Sequence, residues 1–273
     1  MTDKRIAIDI GMTNIDLVLE GSSGKRFLMF TNPGGDAAVQ LRYALDVLSP
    51  DLIPGMIIGV TGGRYRDLPK ELDGFQIRKV DEMLALGLGG LTLAKLGKGL
   101  VVSAGTGVAM VSASEGVVKH VTGSAVGGGT LLGLARLILG TKDIFEIDRL
   151  ALKGDASAVD IMLSEAVGGE IGRLPANANA VNLGKLEQPD RFSRENLAAG
   201  LVRLVAQVIA VIAINAAKAA DLLDIIMVGH LTDLESIRRE VDLVGEFYRR
   251  TFIVPENPGF GTVVGVLEVL KQM

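Results

Sequence analysis

Residues 5–19 read RIAIDIGMTNIDLVL, in which two apolar runs are joined by a tight glycine turn. Because only a few residues separate the runs, we expect antiparallel neighbouring strands, and Lys25–Thr31 adds a third run to the meander. The pattern restarts at residues 100–112, LVVSAGTGVAMVS. The sequence therefore predicts an α/β protein with two β-β-β-α-β-α halves around a cleft, and such a cleft is a natural nucleotide site.

Helical periodicity accounts for most of the remaining chain. In the first half it predicts helices at Ala37–Leu48 and Asp81–Leu96. In the second half it predicts helices at Thr130–Leu139, Glu146–Leu152, Ala156–Val167, Arg194–Ala220, Leu234–Val244 and Thr262–Lys271. We accordingly expect two domains, residues 1–97 and 98–273.

The composition is that of a globular protein. The 273 residues include 48% hydrophobic and 22% charged residues, and the net charge is -4 at pH 7. A negative chain is poorly suited to nucleic acid, whose phosphates favour a basic face. The chain contains no cysteine, which excludes disulfides and thiolate metal sites. That usage fits a reducing compartment, so we expect a cytoplasmic protein.

The most apolar segment, Leu201–Ala220, is interrupted by polar side chains at Arg203, Gln207, Asn215 and Lys218. A membrane span needs about 20 residues that are predominantly apolar and carry few charges. We therefore expect a helix buried in the core or in a subunit interface, and no membrane.

The turn Asp9–Thr13 between the first two strands is the first candidate site. It can direct backbone N–H groups around Gly11 and the Thr13 hydroxyl toward phosphate oxygens. Asp9 stands at the strand end and could hold Mg²⁺, directly or through water. The alternative is that Asp9 and Thr13 only satisfy the backbone of the turn.

Two further glycine-rich segments lie in the second half. Gly105-Thr106-Gly107 occupies the position that matches Asp9–Thr13, and two such loops facing each other would clamp a polyphosphate from both sides. Gly127-Gly128-Gly129 leads into a helix, where free N–H groups can meet an anion. The segment lacks the spacing of a dinucleotide fingerprint, and the chain has no GxxxxGK[ST] phosphate loop.

Asp81 and Glu82 open the last helix of the first half. An acidic residue there can cap the helix and complement its dipole, which explains at least one of the two. The other interpretation makes Glu82 a general base that accepts a substrate hydroxyl proton during attack on the γ-phosphorus. Spacing alone favours the cap.

The chain has two histidines, His120 and His230, too few for a histidine-rich metal site. Each is typical of a polar residue at a strand end. His120 lies just before the triple-glycine segment and could touch a substrate.

These segments resemble the type II pantothenate kinases, members of the actin/sugar-kinase/Hsp70 nucleotide-binding fold, along most of the chain. The most specific match is VTGSAVGGGTLLGL at residues 121–134, very close to the family's VTGTSLGGGTFLGL-type segment. Asp9–Thr13 is similar to the family's DxGGT phosphate loop, and Gly105-Thr106-Gly107 is similar to its second phosphate loop. Val228-Gly229-His230 resembles the adenosine-side strand and turn, and Gly259–Leu267 resembles the closing helix.

The resemblance implies ATP and Mg²⁺ in the cleft and transfer of the γ-phosphate to the primary hydroxyl of pantothenate, the first step of coenzyme A biosynthesis. It places the catalytic glutamate on Glu82 and the acceptor near His120, Thr122 and Gly123. It also implies a homodimer, which the long apolar helix would suit.

Four positions depart from the family pattern. Met12 replaces the second glycine of the first loop, Asp16 a lysine, Ala109 a serine, and His120 an arginine near the substrate. Imidazole cannot reproduce the fixed fork of arginine. Three alternatives therefore stay open: a kinase for another small hydroxy acid, a non-kinase ATP-binding regulator or reactivating factor, and a dimeric structural protein with a decayed site. The retained Glu82 favours an enzyme.

Overall fold

Two mixed β-sheets, one from each half of the chain, form the centre of the protein. The computed structural model describes residues 4–53, 55–114, 116–172, 174–187 and 191–272. The first sheet contains β1 (Arg5–Ile10), β2 (Asn14–Gly21), β3 (Gly24–Thr31), β4 (Ile57–Gly62), β5 (Glu71–Leu72) and β6 (Phe75–Lys79). The second sheet contains β7 (Lys98–Ala104), β8 (Val108–Ser114), β9 (Val117–Ser124), β12 (Ile225–Val228) and β13 (Phe252–Ile253), while β10 (Ile161–Met162) and β11 (Asn179–Val181) form a separate pair.

The two sheets share a five-strand topology, to which the first sheet adds the edge strand β5. The first has the order β3-β2-β1-β4-β6-β5 and the second β13-β12-β7-β8-β9. In each, a three-stranded antiparallel meander is extended from its first strand by two parallel strands, β4 and β6 or β12 and β13. The predicted fold class, an α/β protein with duplicated halves, is therefore confirmed.

Helices surround the sheets and largely follow the predicted pattern. They are α1 (Ala37–Leu48), α2 (Glu82–Ala94), α3 (Gly128–Ile138), α4 (Ile144–Ala151), α5 (Leu163–Ala166), α6 (Arg194–Ala219), α7 (Glu235–Tyr248) and α8 (Gly261–Lys271). α1 has the predicted bounds, because the carboxylate of Asp36 accepts the N–H of Val39 at 2.9 Å and so caps the first turn.

The predicted helix at Ala156–Val167 is wrong. The segment forms a 3-10 turn at Ala156–Ala158, then β10 and the four-residue α5. The buried Asp160 carboxylate explains the break, since it accepts the N–H of Leu183 at 2.7 Å and pairs with Arg203 at 3.5 Å. These long-range contacts outweigh the helical periodicity of the segment.

The long helix α6 lies in the core of the second half. It has the length and hydropathy of a membrane span, and 67% of its most apolar 18-residue window is buried inside the protein. Its apolar side chains pack with the second sheet and with α3, α4 and α7. Its Arg203 forms a two-pronged ion pair with Glu240 of α7, at 2.9 and 3.1 Å. The expectation of a buried helix is met.

Helix α2 comes from the first half of the chain but packs on the second sheet. A Cβ atom built on Gly87 would lie 2.5 Å from the side chain of Val118, and one on Gly90 would lie 2.3 Å from that of Val101. The glycines therefore let α2 approach the sheet more closely than any larger residue would.

Helix α8 makes the reciprocal contact, because it comes from the second half and packs on the first sheet. Its Val266 and Leu270 fill the space above Gly59 of β4. Val266 also belongs to a buried cluster with Ala7 of β1 and Val18 of β2. The two helices thus cross between the sheets and tie the halves together.

Where α2 and α8 meet, backbone touches backbone. A Cβ atom on Gly89 would lie 1.8 Å from the carbonyl oxygen of Gly261, and one on Gly265 would lie 1.7 Å from that of Ala85. No side chain fits at either contact. This crossing fixes the distance between the halves.

We expect Gly89→Ala to lower the free energy of unfolding by about 3 kcal/mol or more, since overpacking against backbone cannot be relieved by a side-chain rotation. Urea unfolding followed by circular dichroism measures the change. The matched control is Gly133→Ala in α3, where an added Cβ atom would meet no described atom within 4 Å beyond its chain neighbours and the backbone of its own helix. It should stabilise the protein by roughly 0.5–1 kcal/mol. Equal midpoints for Gly89→Ala and the wild type would contradict the packing argument.

Candidate active site

The carboxyl end of the first sheet places three polar side chains in a row. Asp9 of β1 is paired with Asp16 of β2 and Thr61 of β4. Strand alternation puts these residues on the same face as Ala7 and Val18, the face that packs on α8. The row therefore faces the second half of the protein.

The two predicted phosphate loops face each other across the cleft. The hydroxyl oxygens of Thr13 and Thr106 lie 2.9 Å apart, within hydrogen-bond distance. The first loop is held by Asn32, whose side-chain amide donates to the carbonyl of Gly11 at 2.6 Å and whose N–H donates to that of Thr13 at 2.8 Å. The two loops therefore face each other as expected, and the clamping of a polyphosphate between them stays a prediction.

Met12 does not distort the first loop. Its φ is negative, so the backbone there does not require glycine. The residue is 84% exposed. Methionine is therefore accommodated in this loop without a left-handed backbone, and its side chain lies on the surface.

The triple-glycine segment packs on the second loop. The N–H of Gly128 donates to the carbonyl of Gly105 at 2.8 Å, and that of Gly129 donates to the carbonyl of Thr106 at 2.8 Å. A Cβ atom on Gly127 would lie 2.9 Å from the carbonyl oxygen of Thr106. The expectation of free N–H groups at Gly128 and Gly129 is thus wrong, because both already have partners. Cofactor contact by Gly127-Gly128-Gly129 stays a prediction.

Gly107 and Gly229 complete the floor of the second loop. The carbonyl of Gly107 accepts the N–H of Gly105 at 3.0 Å, which closes the loop on itself. Gly229 follows β12 with a φ of 94°, and a Cβ atom there would lie 2.5 Å from the carbonyl oxygen of Ala104. Only glycine allows this conformation and approach together. The adenosine role of Gly229 stays a prediction.

Asp81 and Glu82 have separate roles. The Asp81 carboxylate caps α2 by accepting the N–H groups of Met83 at 3.0 Å and Leu84 at 3.2 Å, and the Tyr65 hydroxyl also donates to it. Glu82 is the first residue of α2 and takes no part in the cap. Burial, with the neighbouring charge of Asp81, raises the pKa of Glu82. A carboxylate with a raised pKa is a better proton acceptor.

Asp9 carries a buried carboxylate oxygen, Oδ1, that has no hydrogen-bond partner among the described residues. Burial, and after it the charges of Asp16 and Glu82, raise the pKa of Asp9 well above its usual value, while His230 opposes them. Such an atom fits a cation. No group of three or more His, Asp or Glu ligands occurs in the described ranges. Mg²⁺ bound by one carboxylate, waters and substrate phosphates needs no such group.

The three residues predicted near the acceptor, His120, Thr122 and Gly123, do not all lie on one face of the second sheet. His120 pairs with Val111 and Gly123 with Ala109, on the face of the second sheet that α2 covers. A register shift between Met110 and Val111 interrupts the alternation in β9. Thr122 consequently pairs with Met110, in the core on the opposite face. Thr122 thus lies apart from His120 and Gly123 in the register of β9, and substrate contact by the three residues stays a prediction.

Sequence reasoning missed a chain of charged groups across the cleft. His230 lies after β12, and its Nε2 is 2.9 Å from Oδ1 of Asp16, while its Nδ1 is 2.7 Å from Oδ2 of Asp233. Burial lowers the pKa of His230, but the hydrogen bonds to Asp16 and Asp233 outweigh it and raise the pKa to about 10. His230 is 214 residues from Asp16 along the chain, so no local pattern could reveal the pair.

The second half matches a known protein family. The family model described as Fumble matches residues 99–249, more than half of the chain. The chain belongs to the Fumble family. This is the family of type II pantothenate kinases, so the predicted resemblance is confirmed.

Two curated relatives show how far the similarity extends. The chain is 25% identical over 271 residues to a type II pantothenate kinase of Oceanobacillus iheyensis, covering 97% of this chain and 98% of that protein. It is 32% identical over 185 residues to pantothenate kinase 2 of Arabidopsis thaliana, covering 55% of this chain. That match spans 20% of the plant protein.

Solved structures share the fold at low sequence identity. One is (R)-2-hydroxyglutaryl-CoA dehydratase component A of Acidaminococcus fermentans, with a TM-score of 0.66 and 16% identity, covering 96% of this chain and 95% of that one. Another is a ROK family glucokinase of Streptomyces griseus in complex with glucose and AMPPNP, with a TM-score of 0.63 and 13% identity. It covers 99% of this chain and 100% of that one.

We expect Asp9→Asn to stabilise the protein at neutral pH. Since the pKa of Asp9 is raised on folding, the folded state keeps this proton to higher pH than the unfolded chain. The free energy of unfolding therefore falls as the pH rises through that window, by about 1.4 kcal/mol per unit of pKa difference. The Asn side chain is uncharged, so the free energy of unfolding of the variant does not fall in this pH window.

Urea unfolding at pH 5 and pH 8 measures the effect. The advantage of Asp9→Asn over the wild type should be larger at pH 8. Asp46→Asn, on the exposed face of α1, is the matched control and should show no such dependence. A variant less stable than the wild type at both pH values would show that Asp9 is satisfied in the fold.

Proposed function

We propose that the protein is an ATP-dependent kinase that phosphorylates the primary hydroxyl of pantothenate. The observation that carries this proposal is the position of Glu82. Asp81 takes over the capping of α2, so the Glu82 carboxylate stands half-buried at the cleft with a raised pKa and no capping role. Membership of the type II pantothenate kinase family supports the same reaction.

Each of these residues would have a separate role in phosphoryl transfer. Thr13 and Thr106, with the backbones of their loops, would hold the polyphosphate of ATP between the two halves. Asp9 would hold Mg²⁺, which neutralises charge on the phosphate oxygens when bound. Glu82 would accept the proton of the acceptor hydroxyl as its oxygen attacks the γ-phosphorus.

The acceptor would bind between α2 and β9. His120 and Gly123 lie on the face of the second sheet that α2 covers, and Glu82 begins α2. Ala109 belongs to the same face and presents a methyl group there. Membership of the type II pantothenate kinase family favours a small hydroxy acid such as pantothenate as the acceptor.

We also propose that the protein forms a homodimer and that it is located in the cytoplasm. Along α6, Leu204, Val208, Val211 and Ile212 are only partly buried and lie on one side of the helix. An apolar stripe of this kind suits a contact with a second copy of the chain. The absence of cysteine fits a reducing compartment.

We expect Glu82→Gln to lower kcat by about 10²–10⁴-fold, because the amide cannot accept the hydroxyl proton. ATP affinity should change little, since the variant keeps the shape of the side chain. ADP and phosphopantothenate formation from Mg-ATP and pantothenate give the rate, and calorimetry gives the affinity.

The matched control is Asp81→Asn, at the residue that precedes Glu82. Asn caps helices about as well as Asp, so the fold and the turnover should persist. Tight Mg-ATP binding without acceptor-dependent ADP, across a panel of small hydroxy acids, would overturn the kinase. It would favour the ATP-binding regulator.

His120→Arg tests the identity of the acceptor. If pantothenate is the acceptor, arginine at this position should raise its kcat/KM by about tenfold, because a guanidinium forms two-pronged bonds to phosphate or carboxylate. Lys119→Arg, on the opposite face of β9, is the control and should have no effect. An unchanged or reduced rate for His120→Arg would indicate that His120 serves another hydroxy acid.

A further inference from the structure

The charged chain Asp16–His230–Asp233 connects the two halves of the protein beside the phosphate loops. Asp16 belongs to β2 of the first sheet, three residues after Thr13. His230 and Asp233 belong to the 3-10 turn after β12 of the second sheet. The ion pair of Asp16 and His230 is shielded from solvent, with side-chain exposures of 11% and 23%. It is therefore screened less than a surface pair.

The ring of His230 is fixed in place by its surroundings. Phe260 packs against it edge to face, with the ring centres 5.5 Å apart, and Phe27 of β3 packs on Phe260 at 5.0 Å. A Cβ atom on Gly259 would lie 2.2 Å from Nδ1 of His230. The imidazole has no room to swing toward this backbone, so both of its nitrogens stay committed to carboxylates.

The electrostatic balance of the cleft depends on this ring. The charged groups that act on Asp9 are the carboxylates of Asp16 and Glu82 and the imidazole of His230. Since the pKa of His230 is about 10, the ring is cationic at neutral pH. It is the positive member of this set. Without it, three carboxylates would face an incoming polyphosphate, and like charges close together repel strongly when partly buried.

We propose that His230 is a positioning residue for the nucleotide: its imidazolium neutralises the charge of Asp16 beside the phosphate loops. The proposal rests on the proposed function, since its ligand is Mg-ATP. This electrostatic role of His230 can be distinguished by experiment from a purely structural role. Removing Asp16's charge should compensate for losing His230's charge, whereas it could not repair a broken contact.

A double-mutant cycle on the full-length chain tests the proposal, with Mg-ATP affinity measured by calorimetry. We expect His230→Gln to weaken Mg-ATP binding by about 10–100-fold, because Asp16 is left unneutralised. Asp16→Asn alone should bind at least as tightly as the wild type. The combined His230→Gln/Asp16→Asn variant should recover to within about threefold of the wild type. The loss in His230→Gln should also shrink as ionic strength rises.

The cycle separates the possible failures. Arg239→Gln, which removes an exposed cation of α7 paired with Glu235, is the control and should bind normally. If His230→Gln does not fold, Asp16→Asn alone decides, since weaker Mg-ATP binding by that variant would overturn the proposal. Absence of recovery in the double variant would overturn it too. A wild type that does not bind Mg-ATP would instead overturn the proposed function, and this inference with it.

Discussion

The active-site geometry depends on one contact, the backbone crossing of α2 and α8 at Gly89 and Gly265. Side-chain packing can be adjusted by rotamer changes, but a backbone-to-backbone contact has almost no freedom. The contact sets how far apart the two sheets stand. The same helix α2 carries Glu82 at its first turn, and α8 covers the face of the first sheet from which Asp9 projects. The positions of Glu82, Asp9 and the two glycine loops thus depend on a backbone contact that includes none of these residues.

The cleft gathers acidic groups at a cost in stability. Asp9 and Glu82 both have a raised pKa, which means that the fold holds their charges where the charges are unfavourable. Strain of this kind is typical of catalytic sites. His230 offsets part of it, because its imidazolium donates one hydrogen bond to Asp16 and another to Asp233. The fold therefore loses part of its stability at neutral pH by keeping these acidic groups together.

The sequence predicts correctly those features of the fold that depend on residues close together in the chain. The duplicated meanders, the helix Ala37–Leu48 and the two glycine loops follow from periodicity, capping and turn residues, and they were predicted from those alone. The features that the sequence does not predict depend on contacts between residues far apart in the chain. Asp160 interrupts a periodic helix by bonding to Leu183 and Arg203, and His230 pairs with Asp16 across 214 residues of sequence. None of these partners is marked by spacing in the sequence.

The exchange of α2 and α8 between the halves also sets an order on folding. The inner face of the first sheet, with Ala7 and Val18, is covered by a helix that the ribosome makes about 250 residues later than β1. Until α8 emerges, the first half must wait with an apolar surface uncovered, a state that favours chaperone binding or aggregation. The contact region between the two halves is consequently assembled in one late step, after nearly the whole described chain has been synthesised.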